Sequence, residues 1–187
     1  MHAVITEALP KPALQFAELS VFQRVLLITD GTLTHILEAY VGEKIRVLKL
    51  SETTRPVWSE IADLDLRPGS DVIERKILLQ GSVSHRNWLY AESFIVPERL
   101  DPIFQEQLTN SRQPIGKLWT EHKVETFKEI ITTYQEPAGH LSDAFAIHPH
   151  ALLLCRTYRV LSNRQPVMLI TEKFPASYYT HAFERGV

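Results

Sequence analysis

The sequence predicts a single α+β domain in which helices accompany antiparallel β-hairpins. Its 187 residues, 44% of them hydrophobic, are enough for one sizeable core and correspond to about one domain. Apolar residues recur at helical spacing near the N-terminus and after Pro97, whereas two pairs of alternating segments joined by turn signals predict hairpins. We therefore expect residues 1–187 to form one unit, with residues 1–16, which include Pro10 and Pro12, as a flexible arm.

Two short helices are predicted after the arm. Apolar residues follow a mostly helical spacing from Leu19 to Ile28, and Asp30-Gly31-Thr32 supplies a glycine to end this helix and a threonine to cap the next. The second helix is expected over Leu33 to Tyr40. The polar residues of this pair lack the basic set that a DNA-reading helix-turn-helix requires, so we interpret the pair as packing helices.

Strand patterns follow the second helix. Lys44 to Leu50 alternates with one slip between Val47 and Leu48, which is typical of a bulge. Asp71 to Gln80 and Trp88 to Val96 alternate well and are separated by turn residues, so they predict an antiparallel hairpin. Residues 55–69 are interpreted as a connecting segment with one helical turn.

The middle of the chain combines a helix, a loop and an ambiguous run. Pro97 to Ser111 is expected to be helical and to stop at the loop 113–116, which can present backbone amides. Val124 to Tyr134 fits a helix by spacing, but its β-branched residues favour the strand that we predict. Glu136 to His150 is expected to be a loop, and its three histidines lack the spacing of metal ligands, so no metal site is predicted.

Two charged residues interrupt apolar strand faces. Alternation places Glu172 on one face with Ile170 and Phe174, and it places Arg75 on a face with Ile77. A buried, unpaired carboxylate would cost several kcal/mol, so Glu172 is expected to meet a cation, a donor or a ligand. A structural ion pair and a binding site explain this burial equally well.

The register of the last hairpin decides which arginine meets Glu172. With Asn163-Arg164 as a two-residue turn, Arg159 lies on the Glu172 face, whereas a bulge would bring Arg156 round in its place. Cys155 lies in a run of leucines and is interpreted as a small core residue rather than a nucleophile.

Composition argues against several classes of partner. The net charge is −2, from 20 basic and 22 acidic residues without a block of like charge, so neither a nucleic-acid-binding stripe nor a polybasic membrane patch is predicted. No apolar run approaches the ~20 residues that cross a bilayer. A single cysteine and an N-terminus without a signal-peptide layout favour the cytoplasm. Small molecules or proteins remain as partners, and the oligomeric state is left open.

Five short motifs are spread from the first turn to the last strand: Gly31-Thr32-Leu33-Thr34, Glu74-Arg75-Lys76-Ile77-Leu78-Leu79, Pro114-Ile115-Gly116, Glu125-Thr126-Phe127-Lys128-Glu129 and Pro166-Val167-Met168-Leu169-Ile170-Thr171-Glu172-Lys173-Phe174. Their order and spacing resemble chorismate pyruvate-lyases over roughly residues 22 to 175. The branch that makes 4-hydroxybenzoate for mycobacterial phenolic glycolipids is the most similar.

That resemblance implies an antiparallel sheet with helices packed against it and an internal ligand cavity closed by flaps. It implies a cofactor-independent lyase that converts chorismate to 4-hydroxybenzoate and pyruvate. It also implies that Arg75, with backbone at Leu33 and Ile115, holds the ring carboxylate of the product, and that Glu172 lies near the ring hydroxyl. Whether Glu172 acts as a base or only orients the hydroxyl is left open.

The chain departs from the ubiquinone-pathway branch, which it resembles less. That branch has a basic residue near the position of Ser93 and Arg-Arg-Ser where this chain has Arg156-Thr157-Tyr158. The residue that holds the enolpyruvyl carboxylate is therefore open. Arg156 and Arg159 are candidate substrate- or product-binding residues.

Two other functions remain as alternatives. Effector-binding domains of some bacterial transcription regulators resemble the same fold, so a non-catalytic small-molecule sensor is the first. Such regulators carry an N-terminal winged helix, whereas about 20 residues precede the first predicted helix here. A structural protein is the second, and it would leave Arg75 and Glu172 as an ordinary buried ion pair.

Overall fold

The chain is organised around a six-stranded antiparallel sheet. The computed structural model describes residues 14–101, 106 and 126–180. Its strands are β1 (Ile45–Pro56), β2 (Asp71–Gly81), β3 (Asn87–Ile95), β4 (Phe127–Pro137), β5 (Leu152–Ser162) and β6 (Gln165–Pro175). They lie in the order β1-β2-β3-β6-β5-β4, and neighbouring strands are antiparallel. The predicted α+β class is confirmed.

The strand order divides the sheet into two meanders that meet at its centre. Strands β1 to β3 form one meander, β4 to β6 form the other, and β3 pairs with β6 between them. A register row runs from Arg75 on β2 through Ser93 and Ile170 to Tyr158 on β5. Adjacent strands are ~4.8 Å apart, so this row sets these residues side by side on one face, here called the inner face. Glu172 lies on the same face, two residues along β6.

The described part of the chain includes the α-helices α1 (Val21–Ile28), α2 (Leu33–Val41) and the four-residue α3 (Ser142–Phe145). Helix α1 begins with a reciprocal cap. The Ser20 hydroxyl accepts from the Gln23 amide at 3.1 Å, and the Gln23 side chain accepts from the Ser20 amide at 2.8 Å. Two otherwise unsatisfied amides are thereby paired, which fixes the start of the helix.

The end of α1 differs from the prediction. The residue after the helix, Thr29, has extended backbone, so the expectation that Gly31 ends α1 is wrong. The glycine in the left-handed region is Gly42, with a φ of 73°, and it ends α2. Thr32 does precede α2 as expected, but its hydroxyl makes no capping hydrogen bond.

Both long helices pack on the inner face of the sheet. Their buried leucines share one cluster with apolar residues of five strands, and each buried leucine contributes about 1.5–3 kcal/mol. This packing fixes the turn between α1 and α2 against the sheet. The helical members are Leu26, Leu27, Leu33 and Leu37, and the strand members include Ile45, Val47, Leu79, Leu89, Leu154 and Phe174.

Two connecting segments cover the opposite, outer face. Residues 57–66, which include the helical turn Ala62–Leu64, bury Leu64 and Leu66 against that face. Residues 138–147 bury Leu141 and Phe145 near its other end. The predicted loop 136–150 therefore contains α3, because its apolar residues cover the sheet.

The remaining predictions have mixed outcomes. Strand β1 runs to Pro56, and its bulge falls between Lys49 and Ser51 rather than at Val47. The run that fitted either a helix or a strand is strand β4, as predicted. Three predicted segments lie wholly or mostly outside the described residues. They are residues 1–13 of the arm, most of the helix predicted over 97–111, and the loop 113–116. No helix in the described residues is long and apolar enough to cross a membrane.

Candidate active site

A pocket lies on the inner face of the sheet, beneath the start of α2. It contains about 630 Å³ of space between protein atoms, a figure that includes open solvent. Its walls are mostly apolar and include a few polar groups that point inward. The described residues that line it are Thr32, Leu33, Thr34, Arg75, Ile77, Leu79, Leu89, Ala91, Ser93, Lys128, Tyr158, Ile170 and Glu172.

Arg75 is buried in this pocket without a hydrogen-bond partner among the described residues. Its side chain is 1% exposed, and none of its three guanidinium nitrogens donates to a described atom. An ion pair joins its Nε to Glu52 Oε2 at 3.6 Å, which is too long for a hydrogen bond. Burial lowers the pKa of Arg75, and the charge of Glu52 opposes that shift. Buried donors without acceptors are costly, so this planar fork is suited to a carboxylate that enters the pocket.

Glu172 is held by two donors. Arg156 Nε donates to its Oε2 at 2.6 Å, and the Tyr158 hydroxyl donates to its Oε1 at 2.9 Å. Burial raises the pKa of Tyr158 well above its usual value, so the phenol stays protonated. Arg156 also donates from Nη1 to the carbonyl of Thr29 at 2.8 Å, which ties Glu172 to the end of α1. The carboxylate is therefore fixed at the pocket wall with acceptor capacity to spare.

A bulge selects the arginine that meets Glu172. The turn Asn163-Arg164 forms as predicted, but the ladder shifts by one residue between Val160 and Leu161. Arg156 consequently lies opposite Glu172, which is the bulged alternative. Arg159 points to the outer face, where it pairs with Glu129 at 2.7 Å.

The residues singled out in the sequence are thus only partly brought together. Arg75, Leu33 and Glu172 line one pocket. Arg156 supports Glu172 and is not among the described lining residues, and Arg159 lies on the other face. Ile115 lies outside the described residues, so its part stays a prediction.

Lys128 is a pocket residue that the sequence reasoning missed. It lies on β4, and its Nζ donates to the Gly31 carbonyl at 2.9 Å and lies 5.7 Å from the centre of the Tyr158 ring. Burial lowers the pKa of Lys128, and the charge of Glu172 opposes that shift. Two signals pointed to it: its place in one of the five motifs, and the alternation that sets it on one face with Ile130.

The described residues do not group three His, Cys, Asp or Glu side chains as ligands for a metal ion. The polar groups among its described lining residues instead include two cations, one fixed carboxylate and several hydroxyls, set among apolar walls. This combination can hold a small cyclic acid, with an arginine for a carboxylate and an acceptor for a hydroxyl.

Comparison with known proteins identifies the family of the chain. A family model described as chorismate pyruvate-lyase Rv2949c-like matches residues 27–182. The chorismate pyruvate-lyase of Mycobacterium tuberculosis (strain CDC 1551 / Oshkosh) is 30% identical over 166 residues, covering 85% of this chain and 82% of that protein. The protein of the same name from Mycobacterium leprae (strain TN) is 31% identical over 160 residues, covering 83% and 75%.

A solved structure shares the fold. The effector domain of PhnF from Mycobacterium smegmatis aligns with a TM-score of 0.64 over 81% of this chain and 92% of that one. Its sequence identity of 9% limits the likeness to architecture. The family model and the mycobacterial relatives show the family as well as the fold, and they confirm the resemblance carried by the five motifs. The chain belongs to the chorismate pyruvate-lyase Rv2949c-like family.

Proposed function

We propose that this protein is a chorismate pyruvate-lyase that releases 4-hydroxybenzoate and pyruvate. Family membership supports the reaction class. The observation that carries the proposal is the buried guanidinium of Arg75, which has no described hydrogen-bond acceptor and faces a pocket that also holds Glu172. A site of this kind is complete only when a carboxylate occupies it.

The proposed reaction requires the protein to position the substrate and does not require a cofactor. Chorismate carries a ring carboxylate, an enolpyruvyl ether at C3 and a hydroxyl at C4. The C3–O bond breaks as C4 loses its hydrogen, and the electrons of the C4–H bond complete the aromatic ring. The released enolpyruvate takes a proton on its methylene carbon and becomes pyruvate. Aromatisation supplies the driving force, so the protein has to hold a dianion in the reactive geometry.

Arg75 and the start of α2 form the proposed site for the ring carboxylate. The first amides of a helix have no intrahelical acceptor and attract anions. Leu33 and Thr34 are the first residues of α2, and both line the pocket with Arg75. A carboxylate between them gains charge-assisted hydrogen bonds from both sides.

Glu172 is proposed to orient the ring hydroxyl. Arg156 and Tyr158 already donate to its two oxygens and hold the carboxylate in place. A carboxylate has about four acceptor positions, so each oxygen can take one further hydrogen bond. An acceptor fixed in this way aligns the substrate hydroxyl. C4 and the ether oxygen at C3 are thereby held in the geometry that elimination requires.

Incubation of the purified protein with chorismate tests the proposal. Pyruvate and 4-hydroxybenzoate are expected in equal amounts, and a chelator is expected to leave the rate unchanged. Pyruvate is measured by a coupled dehydrogenase assay and the aromatic product by chromatography. A 3-hydroxy product, or activity that disappears with chelator and returns with a divalent ion, would contradict the proposal.

A second candidate is a sensor that binds a small acid without converting it. The fold shared with the effector domain of PhnF favours it, although that likeness concerns architecture alone. Binding of 4-hydroxybenzoate with no release of pyruvate from chorismate would support the sensor and exclude the lyase.

A further inference from the structure

Lys128 brings a positive charge into the pocket that no described carboxylate neutralises by contact. Its ammonium donates to a neutral acceptor, the Gly31 carbonyl. Glu172 and Asp30 act on it through space, and Arg156 opposes them. The oxygens of Glu172 already accept from Arg156 and Tyr158, so Glu172 is not a dedicated partner for Lys128.

The position of Lys128 complements that of Arg75. Arg75 lies on β2, and Lys128 lies on β4, which is four strands away in the order of the sheet. With ~4.8 Å between strands, the two backbones are about 19 Å apart, and both long side chains reach into the same pocket. Apolar residues such as Ala91 and Ile170 line the space between the two cations. The pocket thus has a cation at each side and an apolar centre.

We infer that Lys128 binds the second carboxylate of the substrate, the one carried by the enolpyruvyl group. This inference rests on the proposed function, in which Arg75 takes the ring carboxylate. Of the other arginines considered from the sequence, Arg156 holds Glu172 and is not among the described lining residues, although its buried Nη2 has no described acceptor, and Arg159 lies on the outer face. An ammonium has three donors, so Lys128 keeps two after its bond to Gly31.

One consequence separates substrate from product. Chorismate has two carboxylates and 4-hydroxybenzoate has one, so Lys128 contacts the substrate and not the product. Its removal weakens the binding of chorismate selectively, whereas removal of Arg75 weakens the binding of both molecules. Lys128 is in this sense a specificity-determining residue of the site.

The test compares Lys128→Met and Lys128→Arg with wild-type protein and with Lys76→Met. Lys76 neighbours Arg75 in sequence but lies on the outer face, where it pairs with Glu74 at 3.5 Å, so it controls for loss of a lysine charge. For Lys128→Met, KM for chorismate is expected to rise roughly 10- to 100-fold, as for the loss of a hydrogen bond between charged groups. The Kd for 4-hydroxybenzoate is expected to stay within about twofold, and Lys128→Arg is expected to recover most of the loss.

Each outcome is decisive. If Lys128→Met keeps the wild-type KM, or if it loses affinity for substrate and product equally, the inference is wrong, and in the second case Lys128 serves mainly to hold Gly31. If Lys128→Met does not fold, Lys128→Gln, which retains a donor for Gly31, takes its place in the same comparison. A wild-type protein that releases no pyruvate overturns the proposed function, whereas active wild type with an insensitive Lys128 variant overturns this inference alone.

Discussion

Replacement of the two buried arginines of the inner face is predicted to have opposite effects. Arg75 and Arg156 are 1% and 0% exposed. Arg156 donates to Glu172 and to the Thr29 carbonyl, whereas Arg75 donates to no described atom. The same substitution, arginine to methionine, therefore removes a structural network in one case and an unoccupied donor in the other.

For Arg75→Met we expect a melting temperature equal to or above that of the wild type. A buried guanidinium without acceptors is costly, and binding sites often trade stability for function. The ion pair with Glu52 is lost, but Glu52 keeps Lys49 at 2.8 Å on its other oxygen. Affinity for 4-hydroxybenzoate is expected to fall by ~2–5 kcal/mol, a factor of roughly 30 to 5,000.

For Arg156→Met we expect a loss of ~3–5 kcal/mol in the free energy of unfolding, because Glu172 is left buried without its cationic partner. For a chain of this size, 1 kcal/mol corresponds to about 2–4 °C, so the melting temperature is expected to fall by roughly 6–20 °C. The loss of the contact to Thr29 adds to this effect, since that contact connects the sheet to α1.

Thermal melts with and without saturating 4-hydroxybenzoate, together with calorimetric titration, measure both effects. The wild type is expected to gain a ligand-dependent increase in melting temperature that Arg75→Met lacks. A strongly destabilised Arg75→Met that keeps the full increase would refute Arg75 as the anchor of the carboxylate. An Arg156→Met that melts like the wild type would refute the structural part assigned to Arg156.

Three further predictions concern the site and the sheet. Glu172→Gln is expected to lower kcat more than it weakens 4-hydroxybenzoate binding, since the amide keeps the volume and one acceptor but cannot act as a base; equal kcat in a steady-state assay would rule out a base role and leave the orienting role standing. Because burial lowers the pKa of Lys128 below 10.5, its charge is lost as the pH rises, so KM for chorismate is expected to increase at alkaline pH, and Lys128→Arg is expected to remove this increase. Gly81→Ala is expected to lower the melting temperature, since an added Cβ would overlap the Glu43 carboxylate, which would have to give up its hydrogen bonds from the Val83 and Ser84 amides; an unchanged melting curve would contradict this prediction.

Local alternation was sufficient to predict the two main polar groups of the site. Side-chain direction in a strand has a period of two residues, so Arg75 and Glu172 could be assigned to apolar faces from their own segments. The partner of Glu172 could not be decided, because a bulge in the ladder depends on pairing between strands and changes the facing residue from Arg159 to Arg156. Lys128 was missed because its long side chain contacts Gly31, which is 97 residues away in sequence.

The division of the sheet into two meanders has a consequence for how the site forms during folding. Each meander consists of sequence-local pairings, but the β3–β6 ladder joins residues about 80 positions apart, such as Ala91 and Glu172. Closing so long a loop is entropically costly and slows folding of the central pair relative to the hairpins. Arg75 comes from the first meander, whereas Glu172, Tyr158 and Lys128 come from the second. Neither meander alone carries the pocket, so two fragments divided between residues 101 and 126 are expected to form it only when their central strands pair.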